Sequence, residues 1–266
     1  MDENARPIMP SAAPRFGFSG EAGSTHLARS YMLAELQTLL AYTPDPETTK
    51  ARYRTAVIDE NCLGKQSGQT RKLTYRHLRR LYALDPAVPI FQALRYFWAR
   101  DPDGQPLLAL CCACARDSLL RASVPLVRDL PADTPLPCAA MEEFLTTAFP
   151  GRFSPATVRS AARNLLATWS KSGHLVGKTG KVRARATATA GATAYALYLG
   201  TLLGARGPLL FDAPYATLLD CPIGDRYNLA GMAAQRAWLV MRRISDVVEV
   251  SFPALITELH RGWFRE

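Results

Sequence analysis

The stretch closest to a chemical motif is Ser172-Gly-His-Leu-Val-Gly177-Lys178-Thr179, which departs from a phosphate-binding loop only where serine replaces the first glycine. Such a loop follows a buried strand and opens a helix, so that backbone N–H groups and the helix N-terminus cradle phosphate. Here a helical pattern precedes and an extended one follows, and nucleotide hydrolysis is set aside on that inverted order. His26, His77, His174 and His260 are scattered, and no Gly-x-Ser-x-Gly or His-Glu-x-x-His spacing occurs. Asp59 and Glu60 are adjacent, and adjacent helical positions diverge by about 100°. They read as a solvated helix end. Cys111, Cys112 and Cys114 lie in the apolar run Leu107 to Ala115 without a matching His or Cys pair, and read as core thiols. The expectation is a non-enzymatic protein with no catalytic residues, metal or cofactor.

Charge carries the stronger signal. The chain of 266 residues has 32 Lys and Arg against 23 Asp and Glu, a net charge of +9. Between Glu143 and Asp212 there is no acidic residue, while Arg152, Arg159, Arg163, Lys171, Lys178, Lys181, Arg183, Arg185 and Arg206 all fall there. Those nine equal the net charge, so the excess is local and points to a polyanionic partner. Thr157, Arg159, Arg163, Lys171, Lys178, Lys181, Arg183 and Arg185 are the expected nucleic-acid contacts, joined by Arg71, Lys72, Arg76 and Arg79 on a second basic helix. Phosphate contact of this kind gives affinity without base specificity.

The elements that must position these residues follow from periodicity and punctuation. Ser24 opens an expected helix to about Ala41, Asp45-Pro46-Glu47 one to about Glu60, Thr70 the basic helix, and Asp85-Pro86 one through Arg100. Asp101-Pro-Asp-Gly is a turn before an apolar helix from Gln105 to about Asp117, and another helix follows toward Leu130. Pro131, Pro135 and Pro137 suggest a domain boundary. Ser154-Pro155 then starts a helix with Val158, Ala161, Leu165, Leu166 and Trp169 on one side and Gly173 at its exit. His174-Leu-Val is extended, Gly177 to Gly180 a turn, and Lys181 to Thr189 a strand with one wet basic face. That order is the grammar of a winged helix.

The tail reads as helices from Ala192 to Leu203, Pro214 to Leu219 and Asn228 to Arg243, then a strand from Val247 to Phe252. Its Arg236, Arg242 and Arg243 are offset by Asp225, Asp246 and Glu249. The fold expected is mainly α, a helical bundle with winged-helix-like modules: leader 1–15, helical domain 16–133, and winged-helix-like region 134–266, divisible into wing-bearing units at 134–190 and 191–266. Ala186 to Ala205 is uncharged and long enough to span a bilayer, but its four threonines and three glycines argue against insertion. The polar, proline-rich Met1 to Pro14 is unlike a secretory leader, so a cytoplasmic protein with reduced thiols is expected.

Phe16-Gly-Phe-Ser-Gly20, Val57-Ile-Asp-Glu-Asn-Cys-Leu63 with Arg79-Arg-Leu81, the central helical pair, and Ser154-Pro-Ala-Thr157 through Leu165-Leu166 to Ser172-Gly-His-Leu175 together resemble the BrxA family, accessory components of BREX phage-defence systems. The resemblance spans roughly Phe16 to Val176. It implies a mainly α protein with winged-helix-like modules that binds double-stranded DNA, has no catalytic site, and works alongside a methyltransferase and an ATPase. The charge pattern alone leaves two alternatives: a scaffold whose basic patch docks an acidic partner subunit, or an RNA-binding protein.

Overall fold

A computed structural model describes residues 13–19, 23–178, 180–244 and 247–256. Residues 1–12 of the expected leader, Gly20, Thr179, Asp246 and His260 lie outside them. The chain is mainly helical, with helices α1 (Leu33–Tyr42), α2 (Lys50–Ile58), α3 (Gly68–Tyr82), α4 (Pro89–Trp98), α5 (Gln105–Arg116), α6 (Ser118–Ala122), α7 (Val124–Arg128) and α8 (Cys138–Ala148). After these come α9 (Pro155–Lys171), the hairpin β1 (Leu175–Val176) and β2 (Val182–Arg183), α10 (Ala190–Leu202), α11 (Pro214–Thr217), α12 (Ile223–Gln235), and a second hairpin, β3 (Val240–Ile244) and β4 (Val247–Ser251). Both hairpins are antiparallel.

The uncharged stretch that invited a membrane reading forms α10, and every one of its thirteen residues is buried. It packs against α4, α5, α11 and α12. Hydrophobic on all sides, it is the axis of the core. Among the described residues no helix is long and apolar enough to cross a membrane. One hydrophobic core runs from Ala13 and Phe16 through α10 to Phe252 and Leu255. Elements on both sides of Pro131 to Pro137 share it, so that segment is not a seam between two cores. Ala13–Phe16 is a 3-10 turn with Ala13 and Phe16 buried, so the last residues assigned to the leader belong to the fold.

Several helix starts differ from expectation, two of them for one physical reason. Asp45 and Asp85 each accept a hydrogen bond two residues on, at the amides of Glu47 and Ala87 (2.9 and 3.1 Å), making a side-chain turn instead of a cap. The helices begin later, at Lys50 behind the Thr49 cap and at Pro89. Ser67, not Thr70, caps α3. Ser24 caps only a 3-10 turn, Thr25–Leu27, and α1 starts at Leu33 behind a left-handed Met32. Helix α8, hidden by the proline cluster, fills the interval before Ser154. The expected helix to Arg243 stops at Gln235, with Ala237 at φ 56°, and Val240–Ile244 pairs with Val247–Ser251 instead.

Candidate nucleic-acid interface

Helix α9 is held on two sides. Ser154 Oγ accepts from the Thr157 amide at 3.3 Å, and the two hydroxyls lie 2.9 Å apart, so Thr157 is engaged in the cap. Val158, Ala161, Leu165 and Trp169 face the core and α8. A second side meets the Thr25–Leu27 turn: Ser160 Oγ donates to the Leu27 carbonyl (3.3 Å), Asn164 Nδ2 to the His26 carbonyl (2.9 Å), and Thr168 Oγ1 accepts from the Tyr31 amide (3.0 Å). The remaining arc presents Arg159 and Arg163, exposed and one turn apart. Lys171 closes the helix, exposed, with Nζ donating to Ser30 Oγ at 3.2 Å.

Beneath that junction Asp117 is fully buried. It accepts from Ser24 Oγ (2.6 Å) and from the amides of Thr25 (2.7 Å) and Leu120 (3.1 Å). His26 Nδ1 lies 3.2 Å from its other side, off-line for a hydrogen bond but within ion-pair reach, and His26 Nε2 meets Thr168 Oγ1 at 2.9 Å. Burial pushes the Asp117 carboxyl upward, but His26 and the converging donors outweigh it and hold the group below the usual carboxylate range. The order Asp–His–Thr has the look of a nucleophilic triad. All three side chains are inaccessible, and the Thr168 hydroxyl is engaged with the Asn164 carbonyl and the Tyr31 amide as well, so the chain ties the N-terminal segment to α9.

The hairpin pairs Leu175 with Arg183 and Val176 with Val182. A third segment joins it: the Asp133 and Leu136 amides donate to the Arg183 and Lys181 carbonyls (2.9 and 2.8 Å), and the Arg183 amide donates to the Thr134 carbonyl (2.9 Å). The expected long strand with one wet basic face is therefore corrected. Only Val182–Arg183 is strand, and Arg183 points inward, 4% exposed, forking onto both oxygens of Asp220 at 2.7 and 2.5 Å. That guanidinium is a structural clamp. His174 sits beside it, its Nδ1 against Ser172 Oγ (2.9 Å) and its Nε2 against the Leu218 carbonyl (3.1 Å). Burial brings its pKa down to about 4, with Arg183 adding to the fall and Asp220 opposing it. Gly177 turns the chain at φ +97°, and Lys181 Nζ donates to its carbonyl at 2.7 Å. Lys178 and Arg185 remain exposed.

On α3 the four expected contacts separate. Arg71 Nη1 donates to the Ile58 carbonyl at 2.9 Å and closes the end of α2. Arg79 lines a cleft of about 350 Å³ with Lys50, Asp85 and Arg116. Lys72 and Arg76 lie exposed on one ridge, continued one turn on by Arg80. Arg29 and Arg80 were not among the expected contacts. Arg29 escapes a sequence reading because the run from His26 to Tyr31 contains no helix breaker, yet the chain there is pinned by Asp117 and Thr168.

The near-match to a phosphate-binding loop comprises a helix end, a left-handed Gly173 (φ +88°), β1 and a turn, with His174 buried in its middle. Cys111, Cys112 and Cys114 are buried, and burial raises all three thiols. Among the described residues no three His, Cys, Asp or Glu side chains are grouped to hold a metal. Asp59 and Glu60 pair separately with Arg54 and Arg52. What the surface offers is fixed positive charge. No family model matches the chain, and no curated protein or solved structure matches it.

Proposed function

We propose that this protein binds double-stranded DNA as a winged-helix module, with α9 entering a groove and the β1–β2 hairpin lying along phosphates. One observation carries the reading: Arg159, Arg163, Lys171, Lys178 and Arg185 stand exposed, without an ion pair among the described residues, on a surface whose own sequence is acid-free. The order of α8, α9, β1 and β2, with the Asp133–Leu136 segment joined to β2 by a bridge between Pro135 and Val182, supports it. On this reading its role is non-enzymatic, and the resemblance to BrxA supports placing it beside the methyltransferase and ATPase of a phage-defence system in the cytoplasm.

Fluorescence anisotropy of a random-sequence duplex across a salt series tests this. About five phosphate contacts give a log–log salt slope near −4.5. Replacing Arg159, Arg163, Lys178 and Arg185 by Ala abolishes most of it. No binding at low salt overturns the proposal. A second reading, a scaffold for another subunit, is favoured by exposed Leu209, Ile244 and Val247 in the C-terminal portion, 71–80% accessible. RNA in place of duplex DNA is decided by the same titration with a matched RNA.

A further inference from the structure

Arg29, Arg76 and Arg80 surround His77, and they come from two different parts of the chain. Arg76 and Arg80 are one turn apart on α3, and Arg29 lies in the segment between the Thr25–Leu27 turn and α1, which packs on α3. All three guanidiniums are exposed, and none forms an ion pair or side-chain hydrogen bond among the described residues. Arg80 is seated against the backbone of Gly23, where an added Cβ would stand 2.4 Å from its Nη2. His77, only 8% exposed, also makes no hydrogen bond among the described residues. Its ring nitrogens are not sealed from the surface, so they open where the three guanidiniums lie, and three like charges gathered there favour an anion. Burial first, then Arg76, Arg29 and Arg80, lower the pKa of His77, and no carboxylate offsets them.

The place of the cluster gives it a use. Next to Arg29 is Ser30, whose hydroxyl receives the ammonium of Lys171 at the end of α9. Positive charge therefore continues from Arg159 and Arg163 along α9, through Lys171 and Arg29, to Arg76, Arg80 and Lys72 on α3. Three guanidiniums within electrostatic reach of one imidazole can share the several oxygens of a phosphate, an anion that the forked Arg donors bind in pairs.

We infer that Arg29, Arg76 and Arg80, over His77, form a seat for a single backbone phosphate, extending the duplex footprint from α9 onto α3. The footprint part rests on the DNA-binding reading; the seat itself stands on the cluster. Both are tested on the full chain. First, the imidazole nitrogens of His77 are followed by NMR as inorganic phosphate is added, in wild type and in an Arg29→Ala, Arg76→Ala double variant checked for folding. A saturable shift with a raised His77 titration midpoint, lost in the double variant, is expected; no shift, or the same shift in the variant, overturns the seat. Second, the double variant reduces the salt slope on duplex DNA by about 0.9, the value for one phosphate. An unchanged slope in a wild type that binds DNA overturns the extension. If wild type binds no duplex but His77 responds to phosphate, the DNA reading fails and the seat stands.

Discussion

Arg183 reaches across from β2 to hold both oxygens of Asp220, and Asp220 in turn accepts the Ala186 amide at 3.0 Å. The carboxylate that meets the hairpin cation pointing inward thus comes from beyond the C-terminal end of the acid-free stretch, while Asp101, from before that stretch, accepts from Thr189 Oγ1 (2.5 Å) and the Ala192 amide (3.1 Å) at the start of α10.

The Arg183–Asp220 pair separates stability from binding. Arg183→Ala leaves a nearly buried carboxylate with the Ala186 amide alone and costs about 3 kcal/mol of unfolding free energy. Replacing Lys178 and Arg185, both exposed, shifts stability by no more than about 0.5 kcal/mol. Thermal or urea unfolding of the three variants should show this order, with duplex affinity falling for Lys178 and Arg185. Equal stability losses at all three sites would contradict the inward orientation of Arg183.

His174 predicts an acid-sensitive hairpin. Its folded pKa of about 4 lies below the ordinary value of 6.5, so between those two pH values the unfolded chain holds a proton that the folded chain does not. Stability is complete above about 6.5 and declines as pH is lowered toward 4. His77, also lowered, adds in the same direction. Melting temperatures from pH 8 to 4.5 should fall, and His174→Gln should flatten part of that slope. A wild-type profile that is level across this range would exclude a buried neutral His174.

How far the sequence exposed all this depended on the kind of signal. The α9 start at Ser154-Pro155, its apolar side and the Gly173 exit are local, and each is found in the structure where the pattern put it. The charge excess was legible because it is composition. Long-range contacts left no such trace. Nothing adjacent to Arg183 announces Asp220, thirty-seven residues on, and nothing near Ser24 announces Asp117, which turned an expected helix into a pinned loop. Asp-Pro pairs at 45 and 85 misled because a carboxylate can cap a helix or close a turn with the same atoms.

Asp117 gives a prediction on how that pinned loop is held. Asp117→Ala removes the acceptor for Ser24 and for the Thr25 and Leu120 amides at once, leaving buried donors unmet at a cost of several kcal/mol, on the order of 3. Because the folded carboxyl is held well below its ordinary value of about 3.9, its contribution is present at neutral pH and is lost only as pH falls below that value. Hydrogen exchange at the Tyr31 amide, bonded to Thr168, should speed up in the variant. Unchanged protection there would show that the loop is held by something other than this network.

Gly177 separates the shape of the hairpin from its charge. At φ +97° it adopts a conformation open to glycine, and a Cβ there would stand 2.0 Å from the Gly180 carbonyl oxygen, a backbone atom that cannot step aside alone. Gly177→Ala keeps Lys178, Lys181 and Arg185 but forces the turn to reopen. Only two residues pair on each strand, so the loss of global stability stays small, about 1 kcal/mol. Duplex affinity, if it depends on how the hairpin aims its cations, should fall several-fold with an unchanged salt slope, because the number of cations is the same. Gly180→Ala, where an added Cβ meets nothing within 4 Å, is the control. If Gly177→Ala binds as wild type does, the hairpin contributes charge without geometry, and α9 carries the orientation of the complex.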